Sequence, residues 1–64
     1  MAAEGEAQLR PLVHALRTPL TIVEGFAEAL ARRGDQMSAE ERAEYIERIR
    51  DAAREMRDLL DAVR

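Results

Sequence analysis

The sequence predicts an all-α protein, an antiparallel helical hairpin that pairs with a second copy to form a homodimeric four-helix bundle. Three observations carry this: a composition made for helices, two long segments with helical apolar periodicity, and a short turn signal between them. Ala, Leu, Glu and Arg dominate, while three glycines, two prolines and two aromatic residues are spread over 64 positions. That balance suits long helices rather than sheet.

The first segment repeats every seven residues. Leu9, Leu16, Val23 and Leu30 occupy one position, Leu12, Pro19 and Phe26 follow three later, and Val13, Leu20 and Ala27 four later. In the second segment Ile49, Met56 and Val63 take the first of these positions, Tyr45, Ala52 and Leu59 the second, and Ile46, Ala53 and Leu60 the third. Written as heptads, these are a, d and e. Three apolar positions per heptad make a face too wide for a two-stranded seam and suited to a bundle.

Between the segments lies Gly34-Asp35-Gln36-Met37, where Gly34 suits the left-handed residue that ends a helix. Ser38 and Glu41 then have the spacing of a capping box, with Glu40 and Glu41 placed to complement the helix dipole. Helix one is expected over about residues 5–33 and helix two over about 39–64, each roughly 40 Å long. Residues 1–8 are an N-terminal extension or the start of helix one, and 9–64 form the hairpin. Similar lengths and a short loop make the pair antiparallel. One hairpin leaves half of each apolar face uncovered, and a second copy covers it.

Size points the same way. A chain this short buries little surface unless disulfides, metal or a partner help. It has no cysteine, and its one histidine cannot by itself hold zinc. The formal charge is -3, with acids interleaved among arginines, so no basic stripe of the kind nucleic acid needs is evident. No apolar run approaches the ~18 residues of a membrane span, and no direct membrane contact is expected.

Two residues break the pattern. Pro19 sits inside the first segment, where its ring removes the hydrogen bond to the Ala15 carbonyl, so a kink is expected just after His14. Pro11 is compatible with a helix start, although Arg10 is a poor cap, and the sequence leaves this open. His14 falls at f, at roughly 140° from the centre of the apolar stripe, and should face solvent. Arg10 and Arg17 lie one turn to either side and Thr18 at i+4. The cations attract an incoming phosphoryl group, and Thr18 offers a hydroxyl to a phosphoryl oxygen or a water. The same residues are also compatible with an ordinary solvated helix face.

The run His14-Ala15-Leu16-Arg17-Thr18-Pro19-Leu20-Thr21, followed by Ile22, Glu24 and Leu30, resembles the H-box of sensor histidine kinases of the HisKA type. The likeness covers nearly all of the chain beyond its first eight or so residues. It implies a dimerisation and histidine-phosphotransfer domain of a two-component system, in which His14 takes the γ-phosphoryl group of ATP and passes it to a response-regulator aspartate. By the same resemblance Thr18 orients a water for phosphatase activity and Pro19 marks the family's helix kink, while the electrostatic help of Arg17 follows from its charge beside His14. The regulator's receiver domain would pack beside the histidine, with Ile22, Gly25, Phe26 and Ala29 as the contacts on helix one. The implied setting is cytoplasmic, as a free protein or as the cytoplasmic part of a membrane-bound kinase.

No Gly-rich phosphate loop is present, so ATP is expected through a separate ATP-binding domain and no cofactor site lies in this chain. Alone, the polypeptide should not act as a kinase. If it is a fragment, the catalytic domain would follow Arg64 and an input domain would precede Met1. Ala15 departs from the family, which usually has Glu or Asp there to orient the imidazole. The alternative reading is therefore a non-catalytic dimerisation scaffold with a degenerate H-box.

Overall fold

The computed structural model describes residues 2–63, with side chains over 9–63. Its elements are α1 (Ala2–Arg33), a short 3-10 turn (Gly34–Gln36) and α2 (Ala39–Asp61). The two helices pack along each other as an antiparallel hairpin, 52 × 17 × 11 Å in extent. The all-α hairpin is thus as the periodicity predicts.

Helix lengths differ from expectation. α1 spans 32 residues and α2 spans 23, so the helices are not equal and the start of α1 runs past the end of α2. Pro11 lies inside α1 and does not begin it. The Ala- and Glu-rich stretch before it propagates the helix backwards, and Pro11 forfeits a single hydrogen bond, to the carbonyl of Ala7.

The loop also closes differently. Among the described residues no glycine has a positive φ, so Gly34 does not end α1 in the left-handed region. The chain tightens into a 3-10 turn instead, with the Met37 N–H donating to the Gly34 carbonyl at 3.2 Å. The Arg42 guanidinium supplies the rest, donating from Nη1 to the Gly34 carbonyl at 2.9 Å and to the Met37 carbonyl at 2.6 Å. A side chain of α2 therefore satisfies loop carbonyls that a left-handed glycine would have let the backbone satisfy. The capping box forms as expected. The Glu41 N–H donates to Ser38 Oγ and the Ser38 N–H to Glu41 Oε1, both at 3.0 Å.

The interior is small. Pro19 is fully buried and Ala52 nearly so, while Leu12, Leu16, Val23, Phe26, Ile49, Met56 and Leu59 are half-buried along the seam. The e positions stay open, with Leu20 at 45%, Ile46 at 48% and Leu60 at 54% exposure, and Val13 and Ala27 exposed beside them. Helical handedness puts the e positions of two antiparallel helices on the same side of the hairpin, so they form one continuous apolar face. The accessible surface is 5353 Å², against about 4,100 Å² for a globular monomer of this mass. The excess is of the order of what one partner buries in a standard interface.

Candidate functional site

His14 stands on the exposed outer side of α1, clear of the α1–α2 seam. Its position follows from the heptad: the a and d residues around it turn inward, and f is left to solvent. A shallow recess is lined by Leu9, Arg10, Val13, His14 and Arg17, so the structure brings both flanking arginines to the imidazole. Neither arginine belongs to an ion pair among the described residues.

Thr18 lies one turn further on, exposed and outside that recess, and its hydroxyl has no hydrogen-bond partner among the described residues. Pro19 turns the other way into the seam, where it is the one fully buried large side chain among the described residues. Its missing N–H leaves the Ala15 carbonyl without its usual helical donor. Thr21, which the sequence pattern did not single out, adds to the local effect. Its Oγ1 donates to the Arg17 carbonyl at 2.9 Å, a back-bond that tends to bend helices. The helix stays unbroken here, with the Ala15 carbonyl lacking its helical donor and the Arg17 carbonyl shared with the Thr21 hydroxyl. The signal was present as a hydroxyl four residues after Arg17, but such back-bonding is optional for Thr and depends on its rotamer.

The remaining predicted residues form a second site. Ile22, Gly25, Phe26 and Ala29 line one open groove together with Thr21 of α1 and Tyr45 of α2. They sit at the d, g and c positions, on the side of the hairpin opposite the e face. A neighbouring groove continues along α2, lined by Ile22, Arg48, Asp51, Ala52 and Glu55. Ile22, 38% exposed, is the ridge between the two. An added Cβ at Gly25 would meet nothing within 4 Å, so the groove floor is open there.

A histidine on an arginine-flanked helix face, in a hairpin with an uncovered apolar side, is an arrangement that a family comparison can test. The model of the His Kinase A (phospho-acceptor) domain matches residues 6–64. The chain belongs to this family. The match covers the His14 turn, both helices and the loop, so the HisKA resemblance seen in the H-box run extends through the whole hairpin. Searches of curated proteins and of solved structures return no match. No helix among the described residues is long and apolar enough to cross a membrane. As a HisKA domain, the chain is a histidine-kinase module of the two-component type.

Proposed function

We propose that this HisKA domain dimerises through its e face, accepts a phosphoryl group on His14 and exchanges it with an aspartate of a response regulator seated on the Ile22, Gly25, Phe26 and Ala29 groove. The observation that carries the reading is that a phospho-acceptor domain must offer a histidine, and His14 is the chain's single one, exposed beside two arginines. In the forward step an imidazole nitrogen attacks the γ-phosphorus of ATP held by a separate domain. The bond from that phosphorus to the bridging oxygen breaks, and ADP leaves. Arg17 and Arg10 offset the charge on the equatorial oxygens. In the separate phosphatase reaction Thr18 holds a water in line with the aspartyl phosphate of the regulator; the water oxygen bonds to phosphorus, the bond from phosphorus to the aspartate oxygen breaks, and inorganic phosphate leaves.

The dimer rests on the open e face. Leu20→Asp or Ile46→Asp places a charge at its centre and should leave a monomer or an unfolded chain by sedimentation at micromolar concentration, where the parent sediments as a dimer.

Ala15 favours a second reading, a scaffold that dimerises without chemistry, because its methyl cannot orient the ring or take its proton. One experiment separates the two. The domain is incubated with the ATP-binding domain of a histidine kinase and with a phosphorylated receiver domain, and acid-labile phosphate on His14 and loss of aspartyl phosphate are followed. Under the phosphotransfer reading His14→Ala abolishes transfer, while Thr18→Ala abolishes phosphatase stimulation and spares transfer. If neither variant differs from the parent, the scaffold reading stands.

A further inference from the structure

The charges of α2 are sorted across the helix at the height of His14, and this sorting has no partner within the hairpin. Arg50 and Arg57 lie at b and Arg54 at f, on the edge beside the exposed e residue Ala53, and the three line a single surface recess with it. The acids of the same turns, Asp51, Glu55 and Asp58, lie at c and g on the other edge, while Asp61, one turn beyond Arg57, lies at f. None of the three arginines forms an ion pair among the described residues. Phe26 against Tyr45, ring centroids 4.8 Å apart, sets the register of the two helices. Counting back from that contact puts Arg57 level with His14, Arg54 level with Arg17, and Arg50 level with Thr21. Nearer the loop the same edge of α2 carries Ala43 and Glu47 instead. The arginine stripe therefore spans the height of the histidine-bearing turn.

Within one hairpin the stripe and His14 are on opposite flanks of the e face. Two copies joined through that face by a twofold axis along the bundle keep residues at their own height. Such an axis lays the b edge of α1 beside the b edge of the partner's α2, at the ~8–10 Å spacing of packed helices. Arg10 and Arg17 then face the partner's Arg57, the partner's Arg54 and the partner's Arg50 across a groove whose acids lie toward its ends, Glu24 at b on the loop side and the partner's Asp61 at f one turn beyond the partner's Arg57. We propose that the partner's arginine stripe completes the anion site at His14, so that the phosphoryl group being transferred is held by arginines of both chains. This rests on the dimeric phosphotransfer reading above and adds to it a contribution from the second subunit. The five guanidinium groups outnumber the carboxylates at the ends of the groove and repel one another, and a dianionic phosphoryl group lowers that repulsion. The twofold at right angles to the bundle would invert heights and set the stripe against its own copy, leaving His14 with its own two arginines alone.

Mixed dimers carrying two different affinity tags test this. In the first, a chain with His14 and its own arginines pairs with a His14→Ala chain that also carries Arg50→Gln, Arg54→Gln and Arg57→Gln. In the second, the triple glutamine substitution sits on the His14 chain and the His14→Ala partner keeps its arginines. Phosphoramidate serves as donor: the imidazole nitrogen bonds to phosphorus, the P–N bond of the donor breaks, and ammonia leaves with the imidazole proton. No ATP-binding domain or regulator is needed, so the readout survives failure of the wider phosphotransfer reading. The first dimer should form acid-labile phosphate about tenfold more slowly than the second, which should match a parent chain paired with His14→Ala. Equal rates in the two dimers, or a loss confined to the second, overturn the proposal. A second measurement uses the parent homodimer, whose thermal midpoint pyrophosphate should raise beyond the effect of chloride at equal ionic strength. The triple glutamine homodimer, confirmed as a dimer by sedimentation, should lack that increment, and an equal increment in both also overturns the proposal.

Discussion

Phe26 and Tyr45, the chain's two aromatic residues, meet edge to face with ring centroids 4.8 Å apart and planes at 78°. The contact ties α1 to α2 near the loop, and the same two rings form part of the wall of the groove that also holds Ile22, Gly25 and Ala29. Structure and docking surface thus share residues. Because both rings are only half-buried, Phe26→Leu and Tyr45→Leu should each cost about 1–2 kcal/mol. A double-mutant cycle by urea unfolding at fixed protein concentration should return a coupling of about 0.5–1.5 kcal/mol. Additive costs would mean that the edge-to-face geometry contributes nothing beyond area.

Arg42 should matter more than its place at the start of a surface helix suggests. Its guanidinium is part-buried and serves two loop carbonyls, those of Gly34 and Met37. Arg42→Met keeps the aliphatic stem and removes both donors, and should lower stability by about 1.5–3 kcal/mol. Amide exchange should show the loss first in residues 34–38 and in the opening turn of α2. Arg42→Lys should restore only part, since a single ammonium lacks the planar fork.

These two contacts mark what the sequence could and could not say. The heptad pattern located both helices, the Ser38–Glu41 spacing located the start of α2, and the f position left His14 exposed, because each depends on local geometry that repeats. At Gly34 the loop departs from the pattern, since either a left-handed glycine or a 3-10 turn braced by a distant arginine can stop a helix. The choice fell to Arg42, eight residues away. Ile22, Gly25, Phe26 and Ala29 are legible as one edge of α1, but the d position of Tyr45 marks only its apolar stripe, and its place in the groove requires the register of α2.

Gly25 separates folding from docking. It lies inside α1, where glycine is unfavourable by about 0.5–1 kcal/mol relative to Ala, and its Cβ direction is open. Gly25→Ala should therefore stabilise the domain by that amount in a denaturant titration. Gly25→Glu should leave the fold intact yet fill the groove with a charged side chain. Under the proposed docking, the Kd for a phosphorylated receiver domain should rise at least tenfold while phosphorylation of His14 by a supplied ATP-binding domain is unchanged. Unaltered receiver binding would move the docking surface elsewhere.

Ala15 bears on whether the chemistry survives at all. It is half-buried at a g position, next to the exposed His14, and offers no acceptor to the imidazole. A positioned base typically contributes about 10²- to 10⁴-fold in rate. Ala15→Glu, with a side chain long enough to leave the seam edge and reach solvent, should raise phosphorylation of His14 by a supplied ATP-binding domain by at least tenfold. The dimer should be undisturbed, because g lies on the side of α1 away from the e face. Transfer from a phosphorylated regulator back to His14 should change less, since the aspartyl phosphate is already an activated donor and asks less of the base. A gain in the first reaction with little change in the second would place the defect in activation of the imidazole. No gain in either would mean that the ring is oriented by another group or that the domain works as a scaffold, and the His14→Ala comparison then decides between those two.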